Sequence, residues 1–554
     1  MASTRKPIVC QVLTRLLTNR NATCLENGSI LDNGCGKMNG ITPRLLRHIR
    51  DLGATHVWYT GVIRHASRTD YSAEGIPCQH PAVVKGKAGS PYAITDYYDI
   101  DPDLAVDVSR RMEEWEALVD RTHEAGMKVI MDFVPNHVAR QYHSVRRPEG
   151  VRDLGQDDDT SKHFSPENNF YYCWGQPFRP SFDKGDYEET PAKATGNDRF
   201  DASPGVNDWY ETVKLNYGVD YCDAAGKSCH FDPIPDTWRK MTDILLFWTS
   251  KGVDGFRCDM AEMVPSEFWA WAIPQVKAVK EGLVFIGEVY DPGQYRRYIG
   301  AGFDWLYDKV GMYDCLRDVV CGRRRASGIS YKWQEIDDIR DHMLYFLENH
   351  DEQRIASDFF AGDGFKAVPA LLVSVFLQKN PFMFYAGQEV GERGMDKEGF
   401  SGRDGRTTIF DYWSAGGIRR AYCQRKEMTE DERRLEGIYR YVLNLANAEK
   451  AIYAGDFFDL MYMNEAIGDR QYVFFRKCEE DLLLIAVNFS ADDAVFDVRI
   501  PQHAMDYLHI PAGEYAATDL LSDERTVISL AGDAAVNMEI GALQGRVYKM
   551  KVNS

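Results

Sequence analysis

The sequence predicts an α/β chain: a (β/α)8 TIM barrel with a subdomain inserted after its third strand and an antiparallel β-sandwich at its C-terminus. Three observations carry that expectation. A helix-glycine-strand unit recurs through the first half; three apolar, strand-like runs each end in an acid, at Asp259, Glu288 and Asp351; and after Tyr453 the texture changes to short alternating runs between turn residues. Asp259 and Glu288 lie 29 positions apart and Asp351 a further 63, close to one and then two strand-helix-strand units of roughly 30 residues. Such spacing brings the three carboxylates to the same end of one parallel barrel, where the chemistry of these folds sits. A single acid after a strand also serves as an N-cap. Three arriving together point to a functional site, because perturbed polar groups cluster there.

Ile8 to Arg15 reads as the first strand and not as a secretory leader, since Gln11 and Arg15 interrupt the apolar run. Thr42 and Pro43 supply an N-cap and a proline at N1; Leu45, Leu46, Ile49 and Leu52 form a helical stripe, Gly53 stops it, and a strand follows over 55–60. The unit recurs with Met112, Trp115, Leu118 and Val119, stop Gly126 and strand 128–134. It recurs again with Trp238, Met241, Ile244, Leu245 and Trp248, stop Gly252 and strand 253–259, and a fourth time through 268–280, Gly282 and 283–289. Serial units of this kind imply right-handed parallel crossovers, with strands apolar on both faces. The interval from Asn136 to Pro235, rich in Asp, Gly, Pro and Tyr, is too long for a loop. The expected division is therefore a barrel over 1–136 and 235–452, an inserted subdomain over 137–234, and a sandwich over 453–554 with strands near 471–475, 482–487 and 495–500.

A net charge of -19 argues against a nucleic-acid or anionic-membrane partner, either of which needs a basic face. Aromatic residues make up 12% of the chain, which suits stacking on sugar rings as well as filling cores. The 12 cysteines include no CxxC pair and no dense framework, so neither a zinc site nor a disulfide scaffold is indicated. Free, mostly buried thiols and the absence of an apolar run of about 20 residues lead to the expectation of a cytoplasmic, reducing location. The sequons at Asn21, Asn27 and Asn488 are then chance matches. Metal- or phosphate-based barrel chemistry lacks support, because there is no histidine cluster with ligand spacing and no glycine-rich phosphate loop.

Four ordered motifs give the acids a context: Asp132-Phe133-Val134-Pro135-Asn136-His137, Gly255-Phe256-Arg257-Cys258-Asp259, Gly287-Glu288-Val289 and Asn349-His350-Asp351. In order and spacing they resemble the alpha-amylase family of glycoside hydrolases over nearly the whole chain. The resemblance implies Asp259 as nucleophile, Glu288 as general acid/base and Asp351 as the carboxylate that binds and distorts the sugar. It implies that His137 and His350 hydrogen-bond sugar hydroxyls and that Tyr92 stacks on the sugar at the cleavage point. Elementary chemistry agrees, since retaining cleavage needs two carboxyl groups ~5–5.5 Å apart, which neighbouring strand ends can supply. Arg257 and Asp259, two apart on a strand, share a face, so the guanidinium should keep the nucleophile ionised. Glu288, facing two anionic neighbours, should hold its proton. Asp96 is expected to orient its neighbours and Asp132 to brace the end of strand three.

Departures from the family pattern matter as much. Met260-Ala261-Glu262-Met263 stands where many starch-cleaving amylases carry a Lys-His pair, so Glu262, Met263 and Lys214 are only weak candidates for leaving-group contacts. Lys214 replaces the aspartate of calcium-binding amylases, which resembles the neopullulanase and cyclomaltodextrinase branch. An ammonium can occupy a cation's place but cannot ligate one. No cofactor is therefore expected to be required, with calcium possible through Asn136 and, as a lesser alternative, the Asp157-Asp158-Asp159 run. The reading is a retaining hydrolase of α-1,4-linked glucans or maltooligosaccharides; a transglycosylase or disaccharide exchanger stays open, and a non-catalytic carbohydrate binder is opposed by the complete acid set.

Overall fold

The computed structural model describes residues 5–552. Eight parallel strands close a barrel: β1 (Ile8–Leu13), β2 (His56–Thr60), β3 (Lys128–Phe133), β4 (Gly255–Cys258), β5 (Val284–Gly287), β6 (Trp305–Tyr307), β7 (Met343–Phe346) and β8 (Phe382–Tyr385). They follow one another in chain order around the ring, and β8 pairs back onto β1. Val9, Trp58, Ile130, Ile286, Tyr307, Leu344, Phe346 and Met383 fill the interior as one buried cluster. The barrel is therefore plugged, and chemistry is confined to its mouth.

The helices behave as their stripes require. Helix α1 (Pro43–Asp51) begins where Thr42 Oγ1 accepts from the Leu45 N–H, and it buries Leu45, Leu46 and Ile49. Gly53 then takes φ 114°, where a Cβ would lie 2.7 Å from Leu443 Cβ, so the stop needs glycine for both conformation and space. Helices α2 (Arg111–Glu124), α3 (Asp236–Ser250) and α4 (Ser266–Val279) repeat the arrangement outside β3, β4 and β5. One element is not in the sequence-based expectation: Ile63–His65 pairs antiparallel with Ile94–Ile100 as a ribbon outside the barrel, and it carries the Tyr92 loop.

The insertion leaves and returns at one place, because His137–Ala139 pairs antiparallel with Thr212–Lys214. Asp96 pins its entrance: its carboxylate accepts from the Ser144 hydroxyl and from the N–H groups of Tyr98, Val145 and Arg146 at 2.5–3.0 Å. The Asp157–Asp159 run is spent in the same way. Asp158 accepts from the N–H groups of Asn169 and Phe170, Asp159 from Ser161, and Asp157 pairs with Arg152.

The C-terminal strands are β9 (Asp456–Asp459), β10 (Gln471–Cys478), β11 (Asp481–Asn488), β12 (Ala494–Arg499), β13 (Gly513–Asp519), β14 (Arg525–Leu530), β15 (Ala535–Ile540) and β16 (Gly545–Lys551). They form an antiparallel six-stranded sheet, β9-β10-β11-β16-β13-β14, and a two-stranded sheet, β12-β15, an arrangement that fits a β-sandwich. The middles of β10 and β11 are buried continuously and do not alternate, because β11 also packs against the barrel helix Val368–Phe376. Arg476 on β10 is fully buried at that junction, and its guanidinium donates to the carbonyls of Leu377, Ala451, Ile452 and Gly455.

Candidate active site

Asp259 and Glu288 each stand one residue beyond a strand, and the last paired residues of those strands are Cys258 and Gly287. Adjacent strands lie about 4.8 Å apart, so the two acids leave the barrel side by side at one height. Arg257 is fully buried beneath them. Its Nη1 lies 2.8 Å from Asp259 Oδ1 and its Nη2 2.7 Å from Glu288 Oε2. One rigid guanidinium thus spans both carboxylates and fixes their mutual distance. Asp132, the register partner of Arg257 on β3, adds a third carboxylate 3.5 Å from Nη1 and accepts from the Gly61 N–H. The rings of Trp58, Tyr92 and Tyr307 enclose the guanidinium, with centroids 5.3, 5.3 and 5.7 Å from its carbon.

The residue after Asp259 is strained. Met260 adopts φ 42°, ψ 45°, a left-handed conformation uncommon for a non-glycine residue. That turn aims its N–H at Glu288 Oε2, 2.8 Å away, while the Tyr290 hydroxyl donates to Oε1 at 2.5 Å. Both oxygens of Glu288 are therefore held from opposite sides.

Burial pushes the Asp259 carboxyl well above its usual range; Arg257 pulls it down, and Glu288 and Asp351 push it up again. Burial likewise raises Asp132 to about 6 against the pull of Arg257. Enclosure and then Glu288 raise Asp351 to about 7, although 40% of that side chain still meets water, which softens the rise. The expectation that Arg257 keeps Asp259 ionised thus meets an opposing force: the guanidinium does pull the group down, but burial and the neighbouring carboxylates push it up.

Burial and the charge of Arg257 hold His350 neutral. Its Nδ1 lies 2.7 Å from Gln11 Nε2, which donates to it, so the ring proton is on Nε2. That nitrogen meets the Tyr92 hydroxyl and lies 3.2 Å from Asp351 Oδ2. The His350 and Tyr92 rings stack with centroids 5.3 Å apart. Burial, Lys214 and Lys85 bring His137 down to about 3, and Trp209 packs 5.3 Å from its ring. His137 thus presents a neutral imidazole to the pocket, whereas both ring nitrogens of His350 are engaged, by Gln11 and Tyr92.

Asp259, Glu288, Asp351, Tyr92 and His137 line one pocket of about 270 Å³. Arg257 and His350 stand one layer behind it, acting through the carboxylates and Tyr92. Glu262, Met263 and Lys214 do not reach its surface. Glu262 Oε2 instead accepts from the N–H groups of Tyr290 and Asp291, fixing the loop after β5. Lys214 is buried, with Nζ 2.6 Å from Asp198 Oδ1 and 3.2 Å from the Met263 carbonyl, and it donates to Asn136 Oδ1. The Asn136 oxygen that would face a calcium ion is thus taken by an ammonium. Among the described residues, no group of three or more His, Cys, Asp or Glu side chains is placed to hold a metal.

Several lining or supporting residues escape sequence reading. Tyr290 was within reach, because it follows Glu288 by two and shares its side of the chain. Gln11, Trp58, Trp209, Ile409 and Phe410 come from remote segments and carry no motif.

The fold and site define a class: a (β/α)8-barrel protein whose mouth holds a carboxylate pair on one guanidinium, surrounded by hydroxyl-binding groups. Residues 18–282 match the family model described as alpha amylase, catalytic domain, which supports an alpha-amylase-family glycosidase. It is 27% identical over 377 residues, 65% of this chain and 61% of the relative, to alpha-amylase 3 of Dictyoglomus thermophilum. Neopullulanase 2 of Thermoactinomyces vulgaris is 21% identical over 369 residues, 65% of this chain and 50% of that protein. The matches thus span about half to three fifths of these relatives' length. In fold, the chain is similar to the Geobacillus thermoleovorans alpha-amylase crystallised with acarbose, at TM-score 0.65 and 18% identity, with 100% of both chains covered. It is also similar to a maltogenic alpha-amylase from Thermotoga neapolitana, at TM-score 0.63 and 18% identity, with 99% of both covered.

Proposed function

We propose that this chain hydrolyses α-1,4-glucosidic bonds of maltooligosaccharides or related α-glucans with retention of configuration. The observation that carries the proposal is the single Arg257 guanidinium contacting Asp259 and Glu288 at 2.8 and 2.7 Å, which sets the close spacing of carboxyl groups that double displacement needs. Asp259 attacks the anomeric carbon while Glu288 gives its proton to the leaving oxygen. A covalent glucosyl ester forms, Glu288 then takes a proton from water, and the hydroxide equivalent displaces Asp259. Asp351, 3.2 Å from Nε2 of His350, grips the ring hydroxyls, and Tyr92 offers its face to the sugar. None of these steps is routed through a metal, and the Lys214 ammonium donates to Asn136 Oδ1 and pairs with Asp198.

The test is a trapping experiment. Glu288→Gln, given α-glucosyl fluoride, needs no acid for the first step but lacks the base for the second, so a glucosyl ester should accumulate on Asp259. Wild type should release the α anomer first. Initial release of β anomer, or label on another residue, would remove the assignment. Residence in a reducing compartment belongs to the same proposal. Among the described residues all 12 cysteines are unpaired, but Cys78, Cys222 and Cys229 are exposed, so the thiols are less buried than the sequence suggested. No helix among the described residues is long and apolar enough to cross a membrane.

A further inference from the structure

We infer that the pocket is closed behind the sugar that binds Asp259, so that the protein removes single glucosyl units from non-reducing chain ends and does not cut within a chain. This rests on the glycosidase reading above. Three segments that are distant in sequence meet there. The loop 84–90 leads directly into Tyr92, on the sugar-gripping side with His350 and Asp351, whereas Glu288 is flanked by Met260 and Tyr290. That loop is sealed to the segment after β8: Ala88 N–H donates to the Phe410 carbonyl at 3.0 Å. The approach is so close that a Cβ on Gly86, at φ 65°, would lie 2.2 Å from the same oxygen. On its other flank the loop is sealed to the inserted subdomain. Lys85 Nζ lies 3.0 Å from Glu211 Oε2, 3.2 Å from the Asp208 carbonyl and 5.2 Å from the Tyr210 ring centroid. Lys85, Glu211, Ile409 and Phe410 all line the same pocket as the catalytic acids.

A wall joined on both flanks leaves the bound sugar no exit beyond its non-reducing side. The pocket, about 270 Å³, falls just below the ~300–1,000 Å³ usual for small-molecule pockets, which suits one sugar ring and not a run of several. A glucan interior needs two exits. The leaving group, protonated by Glu288, departs on the side of Met260 and Tyr290.

The experiment compares four substrates on the full chain: α-glucosyl fluoride, maltohexaose, maltohexaose blocked at O4 and O6 of its non-reducing end, and β-cyclodextrin, which has no ends. Expected are turnover of the fluoride, glucose as the first product from maltohexaose, and rates on the blocked and cyclic substrates at least 100-fold lower. Lys85→Ala, which opens one flank of the wall, should raise the blocked-to-unblocked rate ratio at least tenfold. Comparable wild-type rates on blocked and free chains, or longer oligosaccharides as first products, would overturn the closed-end inference while leaving the glycosidase reading intact. Failure to turn over the fluoride would remove both.

Discussion

Arg257 is the residue on which the others depend. A guanidinium stays charged in any protein setting, so a fully buried one needs compensating partners, and here three carboxylates supply them. The balance of one cation against four acids has a kinetic consequence. In the proposed mechanism turnover needs Asp259 ionised, and burial together with Glu288 and Asp351 raises that group, so catalysis should be lost as pH falls through a value well above the usual ~4 for carboxylates. The acid limb of the kcat/KM profile should therefore lie above the usual carboxylate range. Arg257→Met should lower kcat/KM by more than 100-fold and move the limb further towards alkaline pH. A limb near 4 in wild type would show that solvent reaches the cluster more freely than its burial implies.

At the scale of elements, strand ends and loops divide the labour. The strands deliver Asp132, Arg257, Asp259 and Glu288 at matched heights because the β3, β4 and β5 registers align. The loops supply everything that decides what is bound. The pairing of His137–Ala139 with Thr212–Lys214 brings Lys214 against Asn136, so an ammonium stands where a bridging metal would bind. Exhaustive chelation should leave both Tm and activity of wild type unchanged. Lys214→Ala should cost about 1–3 kcal/mol, because it leaves the Asn136 and Met263 oxygens unsatisfied. Lys214→Asp places a second carboxylate among those oxygens, so calcium should raise the Tm of that variant and not of wild type. A fall in wild-type Tm on chelation, reversed by calcium, would locate a cation site elsewhere in the chain.

For the whole molecule, the barrel and the sandwich are joined through buried polar contacts as well as apolar packing. Arg476 satisfies four carbonyls from the barrel's last helices and the connecting turn, and burial pulls its pKa down to about 9. Arg476→Ala leaves those carbonyls without a donor inside a buried interface, so Tm should fall by an amount equivalent to about 1–3 kcal/mol. If the junction couples the domains, both should still unfold in one calorimetric transition. Stability should also fall on the alkaline side of neutrality. Burial holds His56 at about 4 and His65 and His137 at about 3; these groups bind fewer protons folded than unfolded, so their contribution falls as pH drops below their unfolded value of ~6.5. Burial raises Glu389 and Asp308 to about 7 and Glu398 to about 9; these bind more protons folded, and their contribution is lost as pH rises from their unfolded value of ~4 through those values. The two sets oppose one another below about pH 6.5, whereas above it only the carboxyls still change, so chemical denaturation should give a lower free energy at about pH 9 than at about 6.5. An equal or higher value at the alkaline pH would contradict this balance.

The helix-glycine-strand units and the acids after β4 and β5 were legible in the sequence, because periodicity, glycine stops and strand alternation act over a few residues. Arg257 beneath Asp259 was legible for the same reason, being two positions away on one strand. Glu262 and Lys214 show where such reading ends. Their positions beside known motifs suggested contact with the leaving group, yet the folded chain uses one to hold backbone N–H groups and the other as a buried counter-ion. The raised carboxyl of Asp259, the neutral tautomer of His350 and the wall formed by Lys85, Glu211 and Phe410 arise only when segments far apart in sequence are brought together. Local sequence determines which face a side chain takes on its own element; burial, and therefore charge state and pocket shape, depends on which distant elements close over it, and tertiary packing alone decides that.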